Sequence, residues 1–81
     1  MSTFERINKC LDDTVGKKAD SEDNNFRDDL GLDSLDWLEL ALMLEDEFGI
    51  EIPEGDYDKG QITTVRQAIE YLDRRLAADG N

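Results

Sequence analysis

The chain has 81 residues, 38% of them hydrophobic, and 21 acids against 9 bases give it a formal charge of -12. A single domain of this size buries roughly 60 to 65% of its unfolded surface, which leaves little room for a deep catalytic cleft. The charge disfavours nucleic acid and anionic membranes and favours basic protein surfaces or cations.

Cys10 is the only cysteine, so no intrachain disulfide can form, and there is no histidine to serve a Ser-His-Asp triad. The first residues form no apolar signal segment, and no apolar run approaches the ~20 residues that span a bilayer. A soluble, cytoplasmic, monomeric protein is the expectation. Such high charge can signal disorder, but three periodic apolar segments argue for a folded domain over residues 1–81.

Ser2 or Thr3 can cap a first helix, and Ser2 with Glu5 has the spacing of a capping box. Phe4, Ile7, Leu11 and Val15 make its apolar stripe, and Gly16 ends it. Lys17 to Arg27 is polar and reads as a long loop, anchored by Phe26 and Leu30, with Gly31 permitting a turn. Asp33 or Ser34 begins a second helix that runs to about Phe48. Leu35, Leu38 and Leu42, flanked by Ala41, Leu44 and Phe48, form an apolar arc wide enough for more than one neighbour.

Gly49 closes that helix, and Ile50 and Ile52 precede Pro53 in an extended link that can plug the core. Gly55 and Gly60 restrict the segment around Tyr57 to a short or distorted additional helix. Thr64 and Gln67 again have capping-box spacing. Val65, Ala68, Ile69, Leu72 and Leu76 mark the last long helix, with a frayed tail from about residue 77 and Tyr71 at its margin. The expected fold is all-α, a small bundle of three main helices around one core.

Ser34 stands at the head of the second helix, inside a stretch from Asp28 to Asp58 with twelve acids and no Lys or Arg. Asp33 and Asp36 are weak bases in a solvated setting, so independent catalysis is not expected. Covalent modification is easier to support. A phosphate ester on Ser34 would lie near unpaired helix N–H groups and the favourable end of the helix dipole, while the acids hold the modified arm away from the surface.

Three stretches now bear on a family: Phe26-Arg27-Asp28-Asp29-Leu30-Gly31-Leu32-Asp33-Ser34-Leu35-Asp36, then Leu42-Met43-Leu44-Glu45-Asp46-Glu47-Phe48, and Glu51-Ile52-Pro53 followed by Ile62-Thr63-Thr64-Val65. In this combination and spacing the chain resembles the acyl carrier protein family, of the free-standing bacterial type, over almost its whole length. The resemblance implies that Ser34 carries a 4'-phosphopantetheine arm donated by coenzyme A through a separate phosphopantetheinyl transferase. It also implies that acyl groups travel on the arm as thioesters between fatty-acid, polyketide or related lipid biosynthesis enzymes. By the same resemblance Asp33, Asp36, Glu39, Glu45 and Asp46 meet basic patches on those enzymes, with Leu35 and Met43 alongside.

Exposed opposite charges speed such encounters while contributing weakly per pair, so contacts stay transient. Each buried methylene of an acyl chain gains roughly 0.8 kcal/mol, so the core can double as a shelter. Leu38, Leu42, Ile52, Ile62, Ala68 and Leu72 are candidate lining residues, and each is equally a plain core residue.

The chain departs from the family pattern at three places. Trp37, three residues past Ser34, replaces a smaller residue and stands near the root of the arm, either as a gate, as a contact for a dedicated partner, or as edge packing. Asp20 replaces a small apolar anchor and is expected to loosen the segment from Lys17 to Asn25. The connector from Gly55 to Gln61 is about two residues longer than the common form. These departures point to a specialised carrier. An aminoacyl or peptidyl carrier is the alternative within the class. Outside it stands an acidic calcium-binding or adaptor module, although no segment has the EF-hand spacing and no specific metal site is expected.

Overall fold

The computed structural model describes residues 2–53 and 62–79. Its elements are α1 (Thr3–Val15), α2 (Ser34–Phe48) and α3 (Val65–Asp79). No strand forms among the described residues. The short or distorted helix expected around Tyr57 falls outside them, and so do Gly80 and Asn81. The last helix extends to Asp79.

The helix ends follow local chemistry. Ser2 Oγ accepts from the Glu5 N–H at 3.1 Å and Glu5 Oε1 accepts from the Ser2 N–H at 3.0 Å, closing the capping box at α1. These bonds to Ser2 hold the Glu5 carboxyl below its ordinary pKa. Gln67 Oε1 accepts from the Thr64 N–H at 3.0 Å, and Thr64 Oγ1 accepts from the Gln67 N–H at 3.2 Å, so the second expected box also forms. Gly49, at φ 67°, turns the chain out of α2, and its N–H donates to Glu45 O at 2.8 Å. A side chain at this left-handed position would be strained.

The core joins Ile7, Cys10 and Leu11 of α1 to Leu40, Leu44 and Phe48 of α2 and to Val65, Ala68 and Leu72 of α3. Ile50 and Ile52 plug it from the link, as the sequence suggests, and Ile62 is buried with them. The arc on α2 is corrected. Leu35, Leu38 and Leu42 are 63%, 42% and 58% exposed, whereas Leu40 and Ala41 are buried. The inward face is Trp37, Leu40, Ala41, Leu44 and Phe48, an i, i+3, i+4, i+7, i+11 series. Tyr71, expected at the margin of its helix, is buried too.

The long loop is better held than its composition suggests. Phe26 and Leu30 are the expected anchors, and Ala19 and Leu32 join them in the core. Asn8 grips Ala19 on both sides, donating from Nδ2 to its carbonyl at 3.1 Å and accepting from its N–H at 2.8 Å. Asn24 Oδ1 accepts from the Asp20 N–H at 2.8 Å. Asp20 therefore does not loosen the segment, because its backbone is pinned and its neighbour Ala19 supplies the apolar contact. Lys17 Nζ donates to Leu30 O at 2.7 Å, beside Gly31 at φ 70°. Further on, Phe26 N–H donates to Thr63 O and Val65 N–H to Asn24 O, both at 3.0 Å, fastening the loop to the start of α3.

The last turn of α2 contains acids and no base, an unfavourable match to the negative end of its dipole. Arg6 of α1 supplies the missing positive charge. Its Nε meets Glu47 Oε2 at 3.0 Å, its Nη2 donates to Glu47 O at 2.9 Å, and its guanidinium lies 4.1 Å from the centre of the Phe48 ring. Arg6→Ala is expected to lower stability by about 2 kcal/mol, because a charge-assisted bond to a partly buried carboxylate and the cation–π contact go together. Urea denaturation measures this, and Arg6→Lys should recover only part of the loss.

Cys10 is a buried packing thiol, and burial pushes its pKa from 9.0 up to about 11, with Glu47 and Asp13 adding to the shift. The folded state therefore holds a proton that the unfolded chain releases. The stabilising preference is intact below pH 9.0 and is lost as the pH rises towards about 11. Denaturation curves across that window should show a fall in stability that is shallower in Cys10→Ala.

Candidate functional site at the head of the second helix

Asp33 is the N-cap of α2, so Ser34 takes the first helical position. Asp33 Oδ1 accepts from the Asp36 N–H at 2.8 Å, and Asp36 Oδ2 accepts from the Asp33 N–H at 3.3 Å. Two carboxylates thus form the reciprocal cap usually made by a shorter residue with Glu or Gln. The first backbone bond of the helix runs from Trp37 N–H to Asp33 O at 2.9 Å. The amides of Ser34 and Leu35 come before the intrahelical ladder begins.

Ser34 is exposed, and its hydroxyl has no hydrogen-bond partner among the described residues. A hydroxyl held on a rigid helix start, open to an incoming enzyme and next to two amides without helical acceptors, fits the demands of a phosphate ester. The residues around it are largely acidic, and among the described residues no basic side chain contacts the hydroxyl.

The expected docking acids divide into two groups. Asp33, Glu39 and Asp46 are exposed, and Glu39 and Asp46 have no ion partner among the described residues. Asp36 is half-buried in the cap, and Glu45 turns back so that its Oε2 accepts from the Ile52 N–H at 2.7 Å. Glu45 is therefore committed to holding the Ile50-Ile52 link. Leu35 is open, while Met43 is half-buried against the core.

The expected lining residues also divide. Ile52, Ile62, Ala68 and Leu72, together with Trp37, surround a small void between α2 and α3. Leu38 and Leu42 do not, because they point to the opposite, outer side of α2. Ala41, Leu44 and Tyr71 complete the wall and were missed by sequence reasoning. For Ala41 and Leu44 the signal was present in their spacing from Trp37. The void measures about 10 Å³, room for about one water. Trp37 is half-buried with its ring centre 4.9 Å from that of Phe26, at an interplanar angle of 46°. Among the described residues no group of His, Cys, Asp or Glu is placed to hold a metal ion, and no helix is long and apolar enough to cross a membrane.

Residues 5–72 match the family model described as "Phosphopantetheine attachment site". The chain belongs to this family of acyl and peptidyl carrier proteins. It is accordingly a carrier whose prosthetic group is 4'-phosphopantetheine, covalently attached, and whose contacts with modifying and acyl-processing enzymes are transient. Domains of this kind are in general non-catalytic.

Asp33→Ala removes the cap acceptor and is expected to cost about 1 kcal/mol of stability, whereas Asp33→Asn keeps an acceptor and should cost a few tenths of that or less. Thermal or urea unfolding of the two variants checks this. It also separates the capping role of Asp33 from the effect of its charge on partner enzymes.

Proposed function

We propose that the chain is a free-standing, cytoplasmic acyl carrier, a single domain over residues 1–81, with 4'-phosphopantetheine on Ser34. It passes acyl groups between enzymes of fatty-acid, polyketide or related lipid biosynthesis and catalyses nothing itself. The observation that carries this reading is the exposed Ser34 hydroxyl, without a partner among the described residues, on the first residue of a capped helix. When bound, the arm supplies a terminal thiol that holds the acyl group as a thioester.

The rest of α2 serves recognition. Leu35, Leu38 and Leu42 run down its outer face at i, i+3 and i+7, with Glu39 and Asp46 exposed beside them. A partner with a shallow apolar groove rimmed by Arg and Lys complements this face. The leucines give the contact its area, and the acids give it speed and orientation. Rim charges that remain hydrated contribute little to affinity, so the carrier is released after each transfer.

An aminoacyl or peptidyl cargo is the second reading, favoured by the small size of the void that the described residues leave between α2 and α3, about 10 Å³, which is far less than an alkyl chain needs. Incubation with coenzyme A and a broad-specificity phosphopantetheinyl transferase should raise the intact mass by one phosphopantetheine group, and Ser34→Ala should abolish the increase. An unmodified native chain beside a fully modified control carrier would overturn the assignment.

A further inference from the structure

Two alanines, Ala41 on α2 and Ala68 on α3, border the void between those helices. Side chains so small leave space that something else must occupy, since interiors are close-packed. Two aromatic rings line the same space and leave only about 10 Å³ of it empty. Tyr71 enters from α3, and its hydroxyl accepts from Arg75 Nη1 at 2.8 Å, which fixes the outer end of the ring. Trp37 enters from α2 and lies against Phe26, 4.9 Å between ring centres. The Phe26 N–H in turn donates to Thr63 O at 3.0 Å, immediately before α3. The Trp37–Phe26 contact therefore joins α2 to the loop fastened to α3.

We propose that Trp37 shuts the cleft between α2 and α3 to alkyl chains, so that the cargo stays outside the bundle and the carrier handles short or polar acyl groups in preference to long alkyl ones. This deepens, and rests on, the reading of Ser34 as the attachment residue. Trp37 is three positions along the same helix from Ser34, on the neighbouring turn, close to the base of any arm attached there. A long chain gains from leaving water, but to enter it must unstack Trp37 from Phe26 or drive the helices apart. A short chain, or one bearing hydroxyl, keto or amino groups, gains little from apolar burial and loses nothing when the cleft is closed.

The test loads the protein from butanoyl- and dodecanoyl-coenzyme A with a broad-specificity phosphopantetheinyl transferase and follows cleavage of each thioester by hydroxylamine. Native protein should release the two groups at rates within about twofold of each other, because neither is sheltered. The fluorescence of Trp37, the only tryptophan, should be the same in both forms. In Trp37→Val the dodecanoyl thioester should be cleaved at least about fivefold more slowly than the butanoyl one, since the cleft is then open.

Strong protection of the dodecanoyl form in native protein, with a shift in Trp37 emission, overturns the inference. So does equal cleavage in Trp37→Val and Trp37→Leu when both are folded by circular dichroism. If a variant unfolds, the native comparison decides alone. Absence of any mass increase with an active control overturns the carrier reading and this inference together, and so is distinguishable from a failure of the closure alone.

Discussion

The candidate site depends on the fastening of a polar loop to the start of the last helix. Asn24 and Phe26 exchange backbone hydrogen bonds with Val65 and Thr63, and Asn25 forms an isolated antiparallel bridge with Thr64. Arg66 reinforces the junction through Glu22 and Asp23. Backbone groups in a loop need partners if they are not all to face water, and this junction supplies them. With the crossing fixed, Phe26, Leu30 and Leu32 reach the core at set depths, and the chain arrives at Asp33 with one available direction for α2. Ser34 is exposed because three apolar side chains just before it are not.

α2 then has to satisfy two sets of contacts. Leu40, Ala41, Leu44 and Phe48 face the core, while Leu35, Leu38 and Leu42 face water. Apolar side chains on both sides of one helix make a poor amphipathic pattern. Such a pattern gains stability from only one side and leaves the other side exposed. The acids distribute in the same way. Glu47 is held by Arg6 and Glu45 by the Ile52 amide, while Glu39 and Asp46 remain in solvent. The acids that hold the fold together and those left exposed to solvent are therefore different residues of the same acid-rich helix.

The aromatic residues give this domain its individual character. In a bundle with alanines on two neighbouring helices, the packing volume comes from Trp37 and Tyr71, with Phe26 behind Trp37. A core filled by rigid rings has fewer ways to rearrange than one filled by flexible chains. The Trp37–Phe26 contact thus ties α2 to the loop that is fastened to the start of α3.

Local features were legible in the sequence because they involve residues within four positions of one another. The two capping boxes at Ser2/Glu5 and Thr64/Gln67, the stop at Gly49, the stripe of α1 and the position of Ser34 at a helix head all follow from such short-range hydrogen bonding and periodicity. Tertiary structure alone decided which leucines of α2 turn inward, because both sets have helical spacing and the choice rests on surfaces contributed by α1 and α3. It alone directed the Glu45 carboxylate to Ile52, buried Tyr71, and set Trp37 against Phe26. Those outcomes depend on how volumes far apart in the chain fill a common space, a condition that no local pattern encodes.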